Sequence, residues 1–527
     1  MHNKRAKKQV LEGVIRRDGS AKSARPMLDP FAKKQTTKPK IGMTQSVGAG
    51  AINVDKSLQK PVVAAPKFDM ELEDTEEPKQ KGSRRKRRSD KVRSPKHKLF
   101  RRLVLGTLVA VILSGSFIGL NIFRAAHKIF RGNADGALAL QGEIDPTKLK
   151  GEGDGRVNIL LAGIGGPGHD GPYLTDTLII ASLDPFAKEI SLVSIPRDLW
   201  VTTKGFGSGR VNAVMSNSKD YNDGSIPAGM KTLEGTVSES LGIPIHYFTV
   251  LDFTAFKDAI DTVGGIDVEV KTKLVDPTIA WENKNNPVIA EAGWQKFDGK
   301  RALLFARSRK GTDGDDFHRN ERQKLVMIGL KNKVVSVGTF GNPLKMTELI
   351  NNAGEHVQTD LSINEIKRLY DIVKDVPSDK IKSVSFAEEP NILIVGQNIG
   401  GASVQVPRAG IGNFEEIKAF IRSNLVDGFI RKENAQIMVL NGTGVAGLAA
   451  TKADELKSYG YQISTVGDAG QSQATTQIIE VNKNKAPYSR KYLENRFKVS
   501  SAPGSVPTGQ TGTPDFVIIL GRDAVSQ

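Results

Sequence analysis

The sequence predicts an α/β fold, with a central β-sheet covered by helices and a smaller α/β domain after it. Three observations support this prediction. Short β-branched runs alternate with helical patterns from Arg156 onward, and such alternation is typical of a sheet with helices packed on it. The same alternation resumes near Glu433. The length of 527 residues also exceeds that of one ordinary domain.

The first domain, residues 156–425, is predicted from its apolar runs. Buried strands are expected at VNILLAG, TLIIASLD and EISLVSIP, and further strands at HYFTVLDF and IDVEVKT. Helices are expected at MKTLEGTVSESLG and FTAFKDAIDTVGG, since each helical pattern ends on glycine. We also predict that ALLFA, just before Arg307, is a strand.

The C-terminal domain, residues 433–523, is predicted in the same way. Its expected strands are AQIMVLN, which enters the turn GTG, then YQISTVGDA and DFVIILGRD. LAATKADELKSYG is expected to be a helix that ends on its glycine. The pattern therefore predicts a small α/β module of about ninety residues, within the usual range of domain sizes.

The formal net charge of +17 is confined to the N-terminal part of the chain. Residues 1–102 hold 28 Lys+Arg and 11 Asp+Glu, whereas the remaining residues hold 47 of each. That distribution favours membrane topology over nucleic-acid binding. Residues 1–98 lack a sustained apolar period, so we predict a disordered, basic cytoplasmic tail. The chain has no cysteine, which excludes disulfides, thiolate nucleophiles and cysteine-ligated zinc.

Residues 99–124 are predicted to form a single transmembrane helix. The run from Leu103 to Phe123 carries no charge, and a helix of that length spans roughly 30 Å, the thickness of the hydrocarbon core. Lysine and arginine crowd the residues before this run, which places the N-terminus in the cytoplasm and the C-terminal domains outside the cell. The basic run Arg84–Arg88 indicates either attraction to anionic membrane lipid or an orientation signal. A polar linker is expected over residues 125–155.

One glycine-rich loop matches a dinucleotide-binding pattern but lacks its context. The stretch GIGGPG begins at Gly163 and has the spacing G-x-G-x-x-G. The dinucleotide motif needs a helix that opens on the third glycine, whereas His169 and Asp170 follow here and the next predicted element is a strand. The loop either lets its backbone approach a ligand or is a simple glycine turn.

Charged residues stand at the ends of two predicted strands. Asp176 lies at the start of a strand, where a carboxylate can bind a metal or cap the strand entry. Arg197 and Asp198 follow the end of another strand. They form either a surface ion pair of little energetic value or a cleft in which Arg197 binds phosphate in a bidentate manner.

The densest charged cluster begins after ALLFA. If ALLFA is a strand, Arg307 and Arg309 point to the same side of it. Asp315 or Asp316 is predicted to cap a following helix.

Within that following helix, Arg319, Arg322 and Gln323 share one face at i, i+3 and i+4. The cluster would thus aim several guanidinium groups at one place, where an anion is needed to offset their repulsion. A di- or polyphosphate is the expected occupant, and a solvated basic face is the alternative. The sequence holds no G-x-S-x-G or H-E-x-x-H motif for hydrolytic chemistry.

Taken together, several segments resemble the LytR–CpsA–Psr family. They are LLAGIGG, LTDTLIIASLDP, ISLVSIPRD, FDGKRALLFARSR and GDDFHRNERQ. The C-terminal VLNGTG and DFVIILG resemble the LytR C-terminal domain. The resemblance implies a central mixed β-sheet and a membrane-anchored phosphotransferase. Such an enzyme moves a glycopolymer, such as teichoic acid or capsule, from a polyprenyl-pyrophosphate carrier to peptidoglycan, and the isoprenoid tail lies in an apolar tunnel.

The resemblance also implies roles for individual residues. The positions that match the family's pyrophosphate-binding pattern are Arg197, Arg307, Arg309, Arg319, Arg322 and Gln323. Asp176 matches a Mg²⁺-binding aspartate, and either Asp176 or Asp198 is a candidate catalytic base. Gly165 stands where the family usually has a second aspartate, and Asp170 is our hypothesis for its replacement.

Two other functions compete with a transferase. The first is a non-catalytic protein that binds polyprenyl pyrophosphate or a wall polymer. The second is a transcriptional regulator, which would need the basic tail to bind DNA. That tail has no helix-turn-helix pattern and few aromatic residues, so we expect no nucleic-acid partner.

Overall fold

The computed structural model describes residues 136–525, except 142–143, 223, 313–315, 337, 339–353 and 355. The predicted cytoplasmic tail and the predicted transmembrane helix at 99–124 lie outside the described residues. Within the part of the chain that is described, no helix combines the length and apolar character needed to cross a bilayer.

The first region contains the following elements. Its strands are β1 (Val157–Ile164), β2 (Thr175–Asp184), β3 (Glu189–Ile195), β4 (Trp200–Thr203), β5 (Gly207–Arg210), β6 (Tyr247–Asp252), β7 (Ile266–Val270), β8 (Leu274–Val275), β9 (Val288–Ala290), β10 (Gly293–Phe297), β11 (Val357–Thr359), β12 (Ile381–Val384), β13 (Ile394–Ile399) and β14 (Ala402–Pro407). Its helices are α1 (Val211–Asn222), α2 (Ile226–Leu241), α3 (Phe253–Thr262), α4 (Gly299–Arg307), α5 (Asp316–Ser336), α6 (Ile363–Val373) and α7 (Glu415–Asn424).

A six-stranded mixed sheet, with strand order β11-β6-β1-β2-β3-β12, forms the centre of this region. β1 pairs in parallel with β6 and antiparallel with β2, and β3 pairs antiparallel with β2 and parallel with β12. Both faces are buried. Leu160, Ile180 and Val193 share one core cluster with Leu233 of α2, whereas Ile179 belongs to a second cluster with residues of α5 and α6. Burial on both faces explains why these strands read as continuous apolar runs.

The predicted strands and the two glycine-terminated helices are confirmed, but the prediction of a strand at ALLFA is wrong. That segment lies in helix α4, whose N-terminus is capped by Asp298 as its side chain accepts from the Arg301 amide. In a short apolar run, periodicity alone does not show whether the segment is a buried strand or a buried helix. Here the alanines, leucines and arginines favour the helix, and Phe305 is buried in a core cluster that includes β7.

The C-terminal module, residues 428–525, is built on a second sheet. Its helices are α8 (Gly428–Glu433), α9 (Leu448–Ser458) and α10 (Pro487–Phe497), and its strands are β15 (Gln436–Asn441), β16 (Gln462–Asp468), β17 (Gln477–Glu480), β18 (Ala502–Pro503) and β19 (Phe516–Leu520). The strand order is β16-β15-β19-β17-β18. The elements predicted from the sequence, β15, α9, β16 and β19, are all present.

Buried polar groups join this module to the first region. The carboxylate of Asp184, at the end of β2, lies 3.6 Å from Nη1 of Arg156 and 3.1 Å from Nη1 of Arg431 in α8. Burial lowers the pKa of Arg156 to about 10 despite the charge of Asp184. Because one buried carboxylate pairs with arginines of both parts, separation of the module would remove one of its two partners.

Asp427 makes a second junction, between the segment before β1 and the module. Its Oδ2 accepts from the amides of Gly153 and Gly155 at 2.7 and 2.8 Å and from the Tyr492 hydroxyl at 3.1 Å. Its Oδ1 caps α8 by accepting from the Phe429 amide. The residue is 3% exposed, so water is not available to replace these contacts.

We predict that Asp427→Ala lowers the free energy of unfolding by about 3 kcal/mol, since the buried donors of Gly153, Gly155 and Tyr492 lose their acceptor. Urea denaturation of the purified protein measures this change. Asp379 is an exposed aspartate in a short turn, and Asp379→Ala is the matched control, with an expected effect within about 0.5 kcal/mol. Equal effects of the two substitutions would contradict the structural role of Asp427.

Candidate functional site

The candidate site lies at one edge of the central sheet, where β1, β3 and β6 end and β2 begins. In the strand register Ile164 of β1 pairs with Asp252 of β6 on one side and with Thr175 of β2 on the other. Asp176 follows at the start of β2, and Arg197 follows the end of β3. Ligands bind preferentially at such edges, because side chains and loops from neighbouring strands converge there.

Arg197 is held by two carboxylates at this edge. Its Nη1 donates to Oδ1 of Asp176 at 2.7 Å, and its Nε lies 3.6 Å from Oδ2 of Asp198. Asp198 also faces Arg210, whose Nε lies 3.5 Å from Oδ1. Partial burial disfavours the charged form of Arg197, but the hydrogen bond and charge of Asp176, with Asp198, raise its pKa above the ordinary value. Arg197 is thus fixed as a cation.

Three arginines from different parts of the chain line one cavity of about 160 Å³. This polar cavity is lined by Arg197, Asp198, Arg309, Arg319, Asn320 and Glu388, among others. Arg197 follows β3, Arg309 follows α4 and Arg319 belongs to α5. The carboxylates of Asp198 and Glu388 lie in the same lining. Guanidinium groups grouped in this way suit an anion with several oxygens.

Asn320 and Glu388 are site residues that the sequence analysis missed. Ser194 donates from Oγ to Oδ1 of Asn320 at 2.7 Å, and Nδ2 of Asn320 donates to Glu388. Asn320 directly follows Arg319 in the predicted helix, so the sequence already placed it beside a predicted phosphate-binding residue. Glu388 lies in a loop after β12, and its local sequence gives no such signal.

An apolar cavity of about 300 Å³ lies between the sheet and helices α3, α4 and α5. Its walls include Leu161, Ile179, Phe256, Leu303, Val326 and Leu330. Four polar side chains also reach its lining, namely Thr177, Asp252, Arg307 and Gln323. A space with these apolar walls suits a hydrocarbon chain. Its four polar side chains would contact a polar group at one end of the same ligand.

Arg307 and Arg309 lie in different cavities. The guanidinium carbon of Arg307 is 4.3 Å from the ring centroid of Phe253, its Nη1 is 3.8 Å from Oε2 of Glu282, and it lines the apolar cavity. Arg309 lines the polar cavity. The prediction that both point to the same side of a strand is wrong, because Arg307 is the last residue of helix α4 and Arg309 lies in the loop beyond it.

Gln323 links the two cavities. Its side chain lines the apolar cavity, and it also borders a narrow gap that it shares with Ser194 and Asn320 of the polar cavity. Its Nε2 lies 3.4 Å from the carbonyl oxygen of Ala306. If a ligand had its charged head in the polar cavity and its apolar tail in the apolar cavity, Gln323 would lie where the head joins the tail.

Arg322 is placed differently from the other arginines. It is 4% exposed, its Nε donates to the Phe305 carbonyl at 3.0 Å, and its Nη2 donates to the Ser308 carbonyl. These contacts hold the end of α4 and the loop that carries Arg309. Arg322 therefore has the geometry of a positioning residue, and its direct contact with phosphate stays a prediction.

The predicted metal ligands, Asp176 and Asp170, differ in their surroundings. Asp176 contacts Arg197, whereas Asp170 is exposed and lines neither cavity. A Cβ on Gly165 would lie 2.8 Å from that of His169, so this backbone leaves no room for the usual aspartate there. Among the described residues, no group of three or more His, Cys, Asp or Glu is placed to hold a metal ion. Magnesium binding by Asp176 and Asp170 stays a prediction.

Family models match both folded parts of the chain. The LytR_cpsA_psr family model matches residues 126–416, more than half of the sequence. The model described as LytR cell envelope-related transcriptional attenuator matches residues 434–523.

Curated proteins and solved structures are similar to parts of this chain. The polyisoprenyl-teichoic acid–peptidoglycan teichoic acid transferase TagV of Bacillus subtilis is 30% identical over 300 residues, which cover 55% of this chain and 71% of TagV. The cell wall biosynthesis protein LcpA of Corynebacterium glutamicum is 25% identical over 365 residues, 63% of this chain and 66% of LcpA. The crystal structure of B. subtilis TagV is 28% identical, with a TM-score of 0.39, over 51% of this chain and 97% of that one.

We predict that the polar cavity binds inorganic pyrophosphate. Arg309→Ala and Arg319→Ala should each raise the Kd for pyrophosphate about tenfold, which is the loss of affinity expected when one charge-assisted hydrogen bond is removed. Isothermal titration calorimetry measures the affinity, and Arg522→Ala, at an exposed arginine of the C-terminal module, is the matched control. If all three variants bind pyrophosphate like the wild type, the cavity is not an anion site.

Proposed function

Because the chain belongs to the LytR–CpsA–Psr family, we propose that it is a phosphotransferase that moves a glycopolymer from a polyprenyl-pyrophosphate carrier to peptidoglycan. The observation that carries this proposal is the adjacency of an arginine-lined cavity and an apolar cavity, with Gln323 between them. A lipid-linked pyrophosphate has the two chemistries that this pair of cavities offers. The names of relatives such as TagV agree with this substrate class.

In the proposed complex the pyrophosphate occupies the polar cavity. Arg197, Arg309 and Arg319 bind its oxygens, and Arg307 and Gln323 contact it from the side of the apolar cavity. The isoprenoid tail enters the apolar cavity, where its burial contributes roughly 0.8 kcal/mol per methylene group. The cavity of about 300 Å³ holds the first part of such a tail.

The proposed reaction joins an acceptor sugar hydroxyl to the phosphorus that bears the glycopolymer. The new oxygen–phosphorus bond forms as the bond to the bridging oxygen breaks, and polyprenyl phosphate leaves with that oxygen. Negative charge grows on the leaving phosphate, and the preorganised arginines stabilise it. Arg322 contributes by fixing the end of α4 and the loop that carries Arg309. Magnesium, if bound, would neutralise further phosphate charge, and Asp176 is the residue present that would hold it.

The proposal extends to location. The uncharged run within residues 99–124 would anchor the chain, and the basic residues before it would keep the N-terminus in the cytoplasm. Both folded parts would then lie outside the cell, where peptidoglycan is found.

A non-catalytic lipid-binding protein is the second candidate, favoured by Gly165, whose Cβ position is closed by His169. Release of polyprenyl phosphate separates the two candidates, because a binding protein retains the lipid-linked donor unchanged. The full chain in detergent with a lipid-linked donor and peptidoglycan fragments is the assay for both.

We predict that Arg307→Ala combined with Arg309→Ala lowers the rate of polyprenyl phosphate release by about 10²-fold or more, as expected when donors to the developing charge are removed. The release is followed by chromatography of the lipid products. Arg522→Ala should retain the wild-type rate, and the thermal midpoints of all variants should agree. If the double variant keeps the wild-type rate, Arg307 and Arg309 do not stabilise the developing phosphate charge.

A further inference from the structure

The hairpin of β13 and β14 forms part of the wall of the polar cavity. Ile394 of β13 and Gln405 of β14 belong to the cavity lining. The hairpin is fixed to the segment after β3, because the Gln405 amide donates to the Asp198 carbonyl at 2.9 Å. Nη2 of Arg210 also donates to the Ser403 carbonyl at 2.7 Å. The hairpin therefore has a defined position beside the end of β3.

The strand register shows which face of the hairpin continues the cavity wall. Gly396 pairs with Gln405, and Asn398 pairs with Ser403. Residues that pair directly have their side chains on the same face, and side chains alternate along a strand, so Ile394 shares this face. Gly396, Asn398 and Ser403 are exposed. The hairpin face, formed by these three residues and Gln405, thus runs outward from the cavity to the tip of the hairpin.

The hairpin face has the chemistry that binds sugars. Asn398, Ser403 and Gln405 supply amide and hydroxyl groups, which donate and accept hydrogen bonds as sugar hydroxyl and acetamido groups do. Oδ1 of Asn398 accepts from the Gly401 amide at 3.0 Å, which fixes this side chain and leaves its Nδ2 as a donor. The four residues of the hairpin face carry no charge, so this face suits a sugar better than a phosphate.

Gly396 keeps the middle of the hairpin face flat. Its φ lies outside the left-handed region, and nothing lies within 4 Å of the position of an added Cβ. A side chain therefore fits here without strain, and it would cover the face. The glycine leaves the space that a sugar ring would occupy.

The two ends of the polar cavity lead to different places. Ser194, within β3, and Asn320 belong both to the cavity and to the narrow gap that Gln323 borders. That end leads toward the apolar cavity. Asp198, beyond the end of β3, and Gln405 line the polar cavity but not that gap. The hairpin face therefore lies at the end away from the proposed position of the isoprenoid tail.

The geometry of phosphoryl transfer makes this end the side of attack. The attacking and leaving oxygens lie roughly in line through the phosphorus. In the proposed complex the leaving group is polyprenyl phosphate, whose tail lies beyond Gln323. The attacking hydroxyl must then approach from the opposite end of the polar cavity, where the hairpin face begins.

We propose that the hairpin face binds the acceptor glycan, a chain of N-acetylated sugars, and presents one of its hydroxyl groups to the phosphorus. This inference rests on the proposed function. As the acceptor oxygen bonds to phosphorus, the bond from phosphorus to the bridging oxygen breaks, and the hydroxyl proton passes to water. The hairpin face contributes by binding and orienting the acceptor.

The test uses the full chain in detergent, a lipid-linked donor, and a tetrasaccharide of alternating N-acetylglucosamine and N-acetylmuramic acid as acceptor. Gly396→Leu covers the face, and Gln405→Ala removes one amide from it. Each should raise the KM and the calorimetric Kd for the tetrasaccharide about tenfold, as expected when one or two hydrogen bonds are removed. The kcat at saturating acceptor and the Kd for inorganic pyrophosphate should stay at the wild-type values.

The same chain offers matched controls. Gln397 is exposed and lies on the opposite face of the hairpin, so Gln397→Ala controls for Gln405→Ala. Gly235 is an exposed glycine of α2 whose Cβ position is equally open, so Gly235→Leu controls for the added side chain. Both controls should keep the wild-type KM for the tetrasaccharide. If Gly396→Leu lowers the thermal midpoint, Gln405→Ala against Gln397→Ala decides the question.

Each outcome decides a different point. If Gln405→Ala and Gly396→Leu behave like their controls, the hairpin is not the acceptor site, and the transferase assignment stands. If they raise the KM for the lipid-linked donor alone, the face holds the sugar of the donor, which also overturns this inference. A wild type that binds the tetrasaccharide on this face but releases no polyprenyl phosphate overturns the proposed function and supports the glycan site.

Discussion

The repulsion among guanidinium groups held around one small cavity is the constraint on which the rest of the site depends. Arg197, Arg309 and Arg319 are kept there by different means. Arg197 is bound by Asp176 and faced by Asp198. The loop that carries Arg309 is fixed by the buried Arg322, which donates to the backbone carbonyls of Phe305 and Ser308. A site built in this way is organised before its ligand arrives, so its donors need little rearrangement when an anion binds.

Helix α5 connects the two chemistries of the site. Arg319 and Asn320 line the polar cavity, and Val326 and Leu330 line the apolar one. Gln323 lines the apolar cavity and the narrow gap that it shares with Asn320. In the proposed complex one helix would therefore contact both the head and the tail of the lipid-linked donor. Such a division along a single rigid element would hold the proposed donor at its reactive end while its tail remains in an apolar environment.

The C-terminal module is tied to the first region by buried polar groups as well as by apolar packing. Asp184 is shared by Arg156 and Arg431, and Asp427 accepts from both the segment before β1 and helix α10. Buried polar contacts need accurate geometry, and a small displacement leaves them without partners. The arrangement favours a fixed placement of the module beside the sheet.

The sequence by itself determined the main strands, helices α2, α3, α5 and α9, and the shared helical face of Arg319 and Gln323, because these features follow from local periodicity and local caps. It did not determine the state of ALLFA, where a five-residue apolar run suits a buried helix as well as a strand. The pairing of Arg197 with Asp176 and the burial of Arg322 were decided only by the tertiary structure. His356 and Asp252, 104 positions apart, meet for the same reason. Such contacts depend on which strand ends become neighbours at one edge of the sheet, and local sequence patterns carry no information about that order.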